Sequence, residues 1–207
     1  MRILLSGGGT AGHVNPAVAI ADAILEKDGT ASVAFVGRSG GDEYTLVEKR
    51  AYPLYRINAA ALAGKNPIKA LKSLTTNVSA MKKAHKIIKD FDPHVIVGTG
   101  GYVCAPIILC GRLMKIPTVI HESNAYPGLT TRMLSGFADK VLLNFDSCRN
   151  YLKSKNVLVV GNPLVNDFSS IDRDSARKKL GIGKRDFLIA SFGGSGGARV
   201  LNSVIID

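Results

Sequence analysis

The sequence predicts a doubly wound α/β fold built on a parallel sheet. Three observations carry this. Short, wholly apolar runs recur along the 207 residues. Segments of helical pattern separate most of them. Glycine-rich stretches follow several of the runs directly. Strands apolar on both faces and joined by helices indicate a sheet covered on both sides. Ligands bind such sheets at the carboxyl ends of the strands, so the loops after strands carry the function.

The predicted strands are Arg2–Ser6, Ser32–Gly37, Leu54–Asn58, Val95–Gly98, Thr118–His121, Lys140–Leu143, Val157–Val160 and Leu188–Phe192. One helix between them stands apart. Leu71, Leu74, Val78, Met81, His85 and Ile88 form a single stripe of an amphipathic helix over Asn66–Lys89. Asn66 and Pro67 read as its N-cap and first helical residue. Lys69, Lys72, Lys82, Lys83, Lys86 and Lys89 lie mostly off the stripe. They form either a solvated face over a core stripe or a surface resting on anionic lipid. On the second reading Leu62 and Ile68 are available to insert.

The net charge is +11, and its placement is local. Residues 49–89 hold ten Lys or Arg and no acid, whereas residues 1–48 sum to −3 and residues 90–207 to +4. Such a zone suits an anionic partner: lipid, nucleic acid or a phosphorylated substrate. No apolar run approaches the roughly 20 residues of a membrane span. The chain starts at once on a strand-like segment, so no signal peptide is expected. Cys104, Cys110 and Cys148 lack metal-ligand spacing and read as buried, reduced thiols of a cytosolic protein.

Four loops could carry chemistry. The first is "SGGGTAGHVNPAVAIA", residues 6–21, where Gly7, Gly9 and Gly12 fit the dinucleotide spacing G-x-G-x-x-G. Its free backbone N–H groups at a helix start make an anion site. An NAD site needs an acid after the second strand, but Val36-Gly37-Arg38-Ser39 supplies none. Arg38 suits NADP, so an NADP-dependent oxidoreductase stays as an alternative, beside a tight turn with no ligand. His13 lies before Asn15-Pro16, which read as the helix start, and its neutral-range pKa suits a general base.

The second loop, "GTGGYVCAP" at residues 98–106, reads as another anion cradle or as a plain βα turn. The third, "HESNAYPGLTTR" at 121–132, crowds His121, Glu122 and Asn124 at a strand end. Glu122 could serve as a base, fix a sugar hydroxyl, or close a buried hydrogen-bond network. The fourth, "GGSGGA" at 193–198, lacks the Lys-Ser/Thr pair of a P-loop. It repeats the opening strand–glycine–helix order. Residues 1–163 therefore read as one domain, and 164–207 as a linker plus the first strand and helix of a second. The whole reads as a fragment of a longer two-domain protein.

Taken in order, "GGGTAGH", "GTGGYVCAP", "HESNAYPG", "VGNP" and "FGGSGGARVLN" resemble the MurG-type N-acetylglucosaminyltransferase family of peptidoglycan synthesis. The resemblance implies a GT-B fold, with residues 1–163 as the acceptor domain. It implies inverting transfer of GlcNAc from UDP-GlcNAc to lipid I, giving lipid II, at the cytoplasmic face of the membrane. Thr10, Ala11, Gly12, Asn124 and Ser195 fall on positions that contact UDP-GlcNAc. Gly9, Thr99, Gly100, Gly101 and Tyr102 fall on the acceptor and diphosphate loops. His13 falls on the candidate base, with Glu122 second. No metal, cofactor or nucleic acid is implied; the partners are the two substrates and an anionic membrane surface. A non-catalytic membrane-docking half of a two-chain transferase is a further alternative. Ser123 stands where the family usually has Gln, Leu164 and Val165 where it often has Arg, and Gly196 where it has a larger residue.

Overall fold

The computed structural model describes residues 1–40, 44–60, 67–165, 171–191, 193 and 198–206, leaving out the side chains at 67–72, 74, 200, 202, 205 and 206. Met1–Val165 form one compact unit and Asn166–Asp207 a second.

The first unit holds seven strands: β1 (Arg2–Ser6), β2 (Ser32–Arg38), β3 (Leu54–Ile57), β4 (Val95–Gly98), β5 (Thr118–Glu122), β6 (Lys140–Leu143) and β7 (Val157–Val159). All pair in parallel, in the order β3-β2-β1-β4-β5-β6-β7. The first seven predicted strands are thus present to within one residue at each end.

Helices cover both faces. On one lie α1 (Ala11–Lys27) and α2 (Thr45–Lys49); on the other lie α3 (Pro67–Phe91), α4 (Cys104–Leu113) and α5 (Leu129–Leu134). The alternation along β1 shows how the sequence dictates this. Ile3 and Leu5 join the core under α1, and Leu4 joins the core under α3 and α4. Successive side chains of a strand point to opposite faces, so a strand buried on both must be apolar throughout.

The stripe on α3 needs correction. Among its described side chains, Ser73, Ala80, Ala84, Ile87 and the expected Ile88 are buried, whereas Val78 and His85 are exposed. The helix turns Ala80 and Ala84 to the core, where small side chains permit close packing against α4. Met81 packs half-buried against the same core, as expected, while Val78 falls to the edge. Lys82, Lys83, Lys86 and Lys89 are exposed, as expected. Asn66 and Leu62 lie outside the described residues, as do the side chains of Leu71, Leu74, Ile68, Lys69 and Lys72.

The second unit carries α6 (Arg173–Lys179) and α7 (Arg199–Ile206). Asp172 caps α6 by accepting from the Ser175 N–H at 2.8 Å. Buried Arg177 donates to the carbonyls of Gly183 and Asp186. The expected strand Leu188–Phe192 is not formed over residues 188–191; Phe192 lies outside the described residues. No strand occurs among the described residues of this unit, so that run has no neighbour with which to form a ladder.

Candidate functional site

The strand order reverses direction between β1 and β4. This is the switch point where open parallel sheets hold ligands. The loops after these strands are the first two glycine-rich segments. They are joined by the Gly8 N–H, which donates to the Gly100 carbonyl at 3.2 Å. Gly101 packs so closely on the Gly8 carbonyl that a Cβ would collide with it, and its φ is +81°. Only glycine combines that backbone conformation with that approach.

The first turn of α1 follows immediately. The helix begins at Ala11 with Thr10 as its N-cap, and Pro16 lies inside it, correcting the expected start at Asn15-Pro16. His13 is therefore a first-turn residue. Gly9, Thr10 and Gly12 are exposed, and Ala11 and His13 are half-buried. The N–H groups that begin a helix have no intrahelical partners and favour anions. Thr10 Oγ1 lies 3.4 Å from His13 Nδ1. The His13 imidazole lies over Gly100, where a Cβ would approach its Nε2 within 2.9 Å.

Thr99 has a different place from the one its loop suggested. It is buried, and its hydroxyl turns inward to donate to the His13 carbonyl at 2.6 Å. It fixes the loop instead of facing a ligand. Cys104 fixes it from below, its thiol donating to the carbonyls of Ser6 and Gly100 at 3.0 Å. Burial pushes that thiol's pKa up to about 11. All three cysteines are free and buried.

Beyond β5, Glu122 is buried and both its oxygens are engaged. One accepts from the Asn124 N–H at 3.0 Å and from Asn124 Nδ2 at 2.7 Å; the other accepts from the Gly128 N–H at 2.9 Å. This arrangement favours the network reading of Glu122 over the base reading. Asn124 is exposed at the rim, with its amide group oriented by Glu122. His121 is buried, with Nε2 3.0 Å from the Gly161 carbonyl. Burial holds its pKa below 6.5, against the opposing pull of the Gly161 bond and the Glu122 charge. Ser195 lies outside the described residues.

The polar loops open onto an apolar groove of about 1030 Å³. His13, Gly101, Tyr102 and Glu122 line its polar end; Val78 and Met81 of α3, Leu109 of α4 and Met133 of α5 line the remainder, with Phe137. Lys153 stands on its rim. Val78, Leu129, Met133 and Phe137 are all 45% or more exposed. Leu129 and Met133 lie one helical turn apart on α5, and Phe137 follows in the turn beyond its end.

The dinucleotide alternative needs the crevice between the opening glycines and the end of β2, where a ribose binds. Tyr44 fills that crevice. Its hydroxyl accepts from the Arg38 N–H at 2.8 Å and donates to the Gly7 carbonyl at 3.0 Å. The geometry disfavours NADP there. Among the described residues no cluster of three or more His, Cys, Asp or Glu could hold a metal. Two Asp-x-Asp triplets occur in the chain, Asp90-Phe91-Asp92 and Asp172-Arg173-Asp174. Asp92 pairs with Arg2, which begins β1 at the opposite sheet edge, while Asp172 caps α6 and Asp174 pairs with Lys184.

Residues 3–143 match the glycosyltransferase family 28 N-terminal domain. The chain belongs to glycosyltransferase family 28. Two relatives, from Caldanaerobacter subterraneus subsp. tengcongensis and Alkaliphilus metalliredigens, are 43% and 39% identical over 100% of this chain and 57% of their own length. Both are named UDP-N-acetylglucosamine--N-acetylmuramyl-(pentapeptide) pyrophosphoryl-undecaprenol N-acetylglucosamine transferase. The chain thus spans a little over half the length of these relatives. The crystal structure of Acinetobacter baumannii MurG superposes with a TM-score of 0.67 at 28% identity, over 80% of this chain and 46% of that one. A Neisseria meningitidis UDP-GlcNAc 2-epimerase superposes with a TM-score of 0.57 at 16% identity, over 79% of this chain and 47% of that one. That second likeness concerns the fold alone. In family 28 terms, the seven-stranded unit is the amino-terminal, Rossmann-like half.

Proposed function

We propose that this chain supplies the acceptor side of an inverting transferase that moves GlcNAc from UDP-GlcNAc to lipid I, forming lipid II. One observation carries the reading. The half-buried His13, in the first turn of α1, lines the apolar groove beside Gly101 and Tyr102. A nucleotide sugar is polar throughout and has no use for that groove. A polyprenyl diphosphate acceptor matches both ends.

In the reaction the acceptor's 4-hydroxyl attacks the anomeric carbon as the bond to UDP breaks. His13 takes the hydroxyl proton, and the positive end of α1 stabilises the diphosphate charge. Thr10, Ala11, Gly12, Asn124 and Ser195 contact the donor, with the remainder of its site in the domain begun by residues 164–207. Lys82, Lys83 and Lys86 hold the enzyme against anionic lipid at the cytoplasmic face of the membrane, as a peripheral protein. No helix among the described residues is long and apolar enough to cross a membrane.

The test fuses residues 1–207 to the carboxyl-terminal half of the Caldanaerobacter relative. The fusion, given UDP-GlcNAc and lipid I, is expected to form lipid II, while residues 1–207 alone give little or none. Failure of a folded fusion to form lipid II contradicts the reading. Robust formation by residues 1–207 alone contradicts its assignment of most donor contacts to the second domain.

A further inference from the structure

Tyr44 belongs to no motif, yet it is among the most buried large side chains of the unit, 1% exposed. It stands just before α2, away from the glycine loops in sequence. Its hydroxyl has one proton and uses it on the Gly7 carbonyl, while a lone pair receives the Arg38 N–H. One side chain thereby joins the end of β2 to the turn that leaves β1.

The surroundings are shaped to admit this ring. A Cβ on Gly8 would collide with the Tyr44 hydroxyl, and a Cβ on Gly37 would collide with the ring itself. On the ring face, the Arg56 guanidinium lies 5.3 Å from the centroid. Arg56 is in turn held by the Arg38 carbonyl at 3.2 Å and Glu48 at 2.6 Å. Opposite Tyr44, the loop is fixed by Gly8 on Gly100 and by Thr99 on the His13 carbonyl. The opening loop is gripped from both sides, and Tyr44 is the grip on the β2 side.

We propose that Tyr44 is a positioning residue: by holding the Gly7 carbonyl, it sets the aim of the N–H groups at the start of α1. The inference rests on the reading of that loop as a diphosphate cradle. It adds a residue that touches no substrate, in a position where a dinucleotide fold would leave room for a ribose.

Two variants of residues 1–207 test it. Tyr44→Phe removes the hydroxyl and keeps the ring; Arg56→Met removes the cation and keeps the hydroxyl. Hydrogen exchange is read at Gly8, His13 and Val14, whose N–H groups are bonded in this loop. Inorganic diphosphate is the binding probe. Tyr44→Phe is expected to speed exchange at these three amides about tenfold, leave the β5 and β6 amides unchanged, and weaken diphosphate binding about tenfold. Arg56→Met is expected to lower the melting temperature and change neither readout. Unchanged loop exchange in Tyr44→Phe overturns the proposal. Uniformly faster exchange across the sheet also does, since Tyr44 is then a stability residue only. Faster loop exchange with undiminished diphosphate binding overturns the positioning role. If the loop loosens as expected but the wild-type chain binds no diphosphate, the grip stands and the diphosphate reading of the loop fails.

Discussion

The Thr99 hydroxyl donates to the His13 carbonyl at 2.6 Å, tying the loop after β4 to the first turn of α1. Two loops more than 80 residues apart in sequence are thereby made into one surface. Thr99→Val keeps the shape and removes the donor. It is expected to destabilise the fold by about 1 kcal/mol, the usual net worth of such a bond. Turnover of the fused enzyme is expected to fall more than that loss explains, because His13 loses its anchor. Urea unfolding and steady-state rates on the same preparation check both.

Gly101→Ala meets the Gly8 carbonyl and must adopt a φ of +81°. It is expected to destabilise the unit by about 1–3 kcal/mol and to displace the two glycine loops. Chemical-shift changes confined to residues 7–13 and 98–102, with a lowered denaturation midpoint, are the expected signature.

His121 makes stability pH-dependent in a definite direction. Burial lowers its pKa in the fold below the ordinary 6.5. The unfolded chain therefore binds the proton first, and stability falls as pH drops below about 6.5 until the folded form is protonated too. Asp139 and Asp172, whose pKa values are lowered from 3.8, act only at more acidic pH. Urea midpoints between pH 7 and pH 5 should decline, and His121→Gln should flatten that decline.

Lys82, Lys83 and Lys86 are exposed along α3. Each basic residue near an anionic membrane contributes about 1 kcal/mol. Reversing the three to Glu is expected to weaken binding to anionic vesicles by at least tenfold and to leave neutral vesicles unaffected. Unchanged anionic binding would make this a solvated face only.

The sheet is legible in the sequence because its strands are short, mostly apolar runs, and the inner strands β1, β2 and β4 are buried on both faces. The loops are legible because glycines cluster directly after strands, although the G-x-G-x-x-G spacing of Gly7, Gly9 and Gly12 passes over Gly8, which makes the contact with Gly100. What escapes a sequence reading depends on long-range packing. Tyr44 reaches Gly7 from 37 positions away, and nothing near Tyr44 in sequence announces it. Thr99 sits in the expected loop but turns inward, since side-chain direction follows from what packs behind it. The α3 stripe differs from the expected one at Val78 and His85 because hydrophobicity ranks Val78 above Ala80 and Ala84, whereas α4 selects for size. The surface made by Leu129, Met133 and Phe137 is not readable from spacing, because α5 ends at Leu134 and Phe137 joins it from the following turn.

The most direct measurement is the turnover of the His13→Ala fusion with UDP-GlcNAc and lipid I, set beside its UDP-GlcNAc affinity. General-base catalysis contributes about 10²–10⁴-fold to a rate. Turnover should fall by about that factor while UDP-GlcNAc binding changes by less than about threefold. Near-normal turnover would contradict the account, removing His13 as the base and leaving its place over Gly100 without a catalytic purpose.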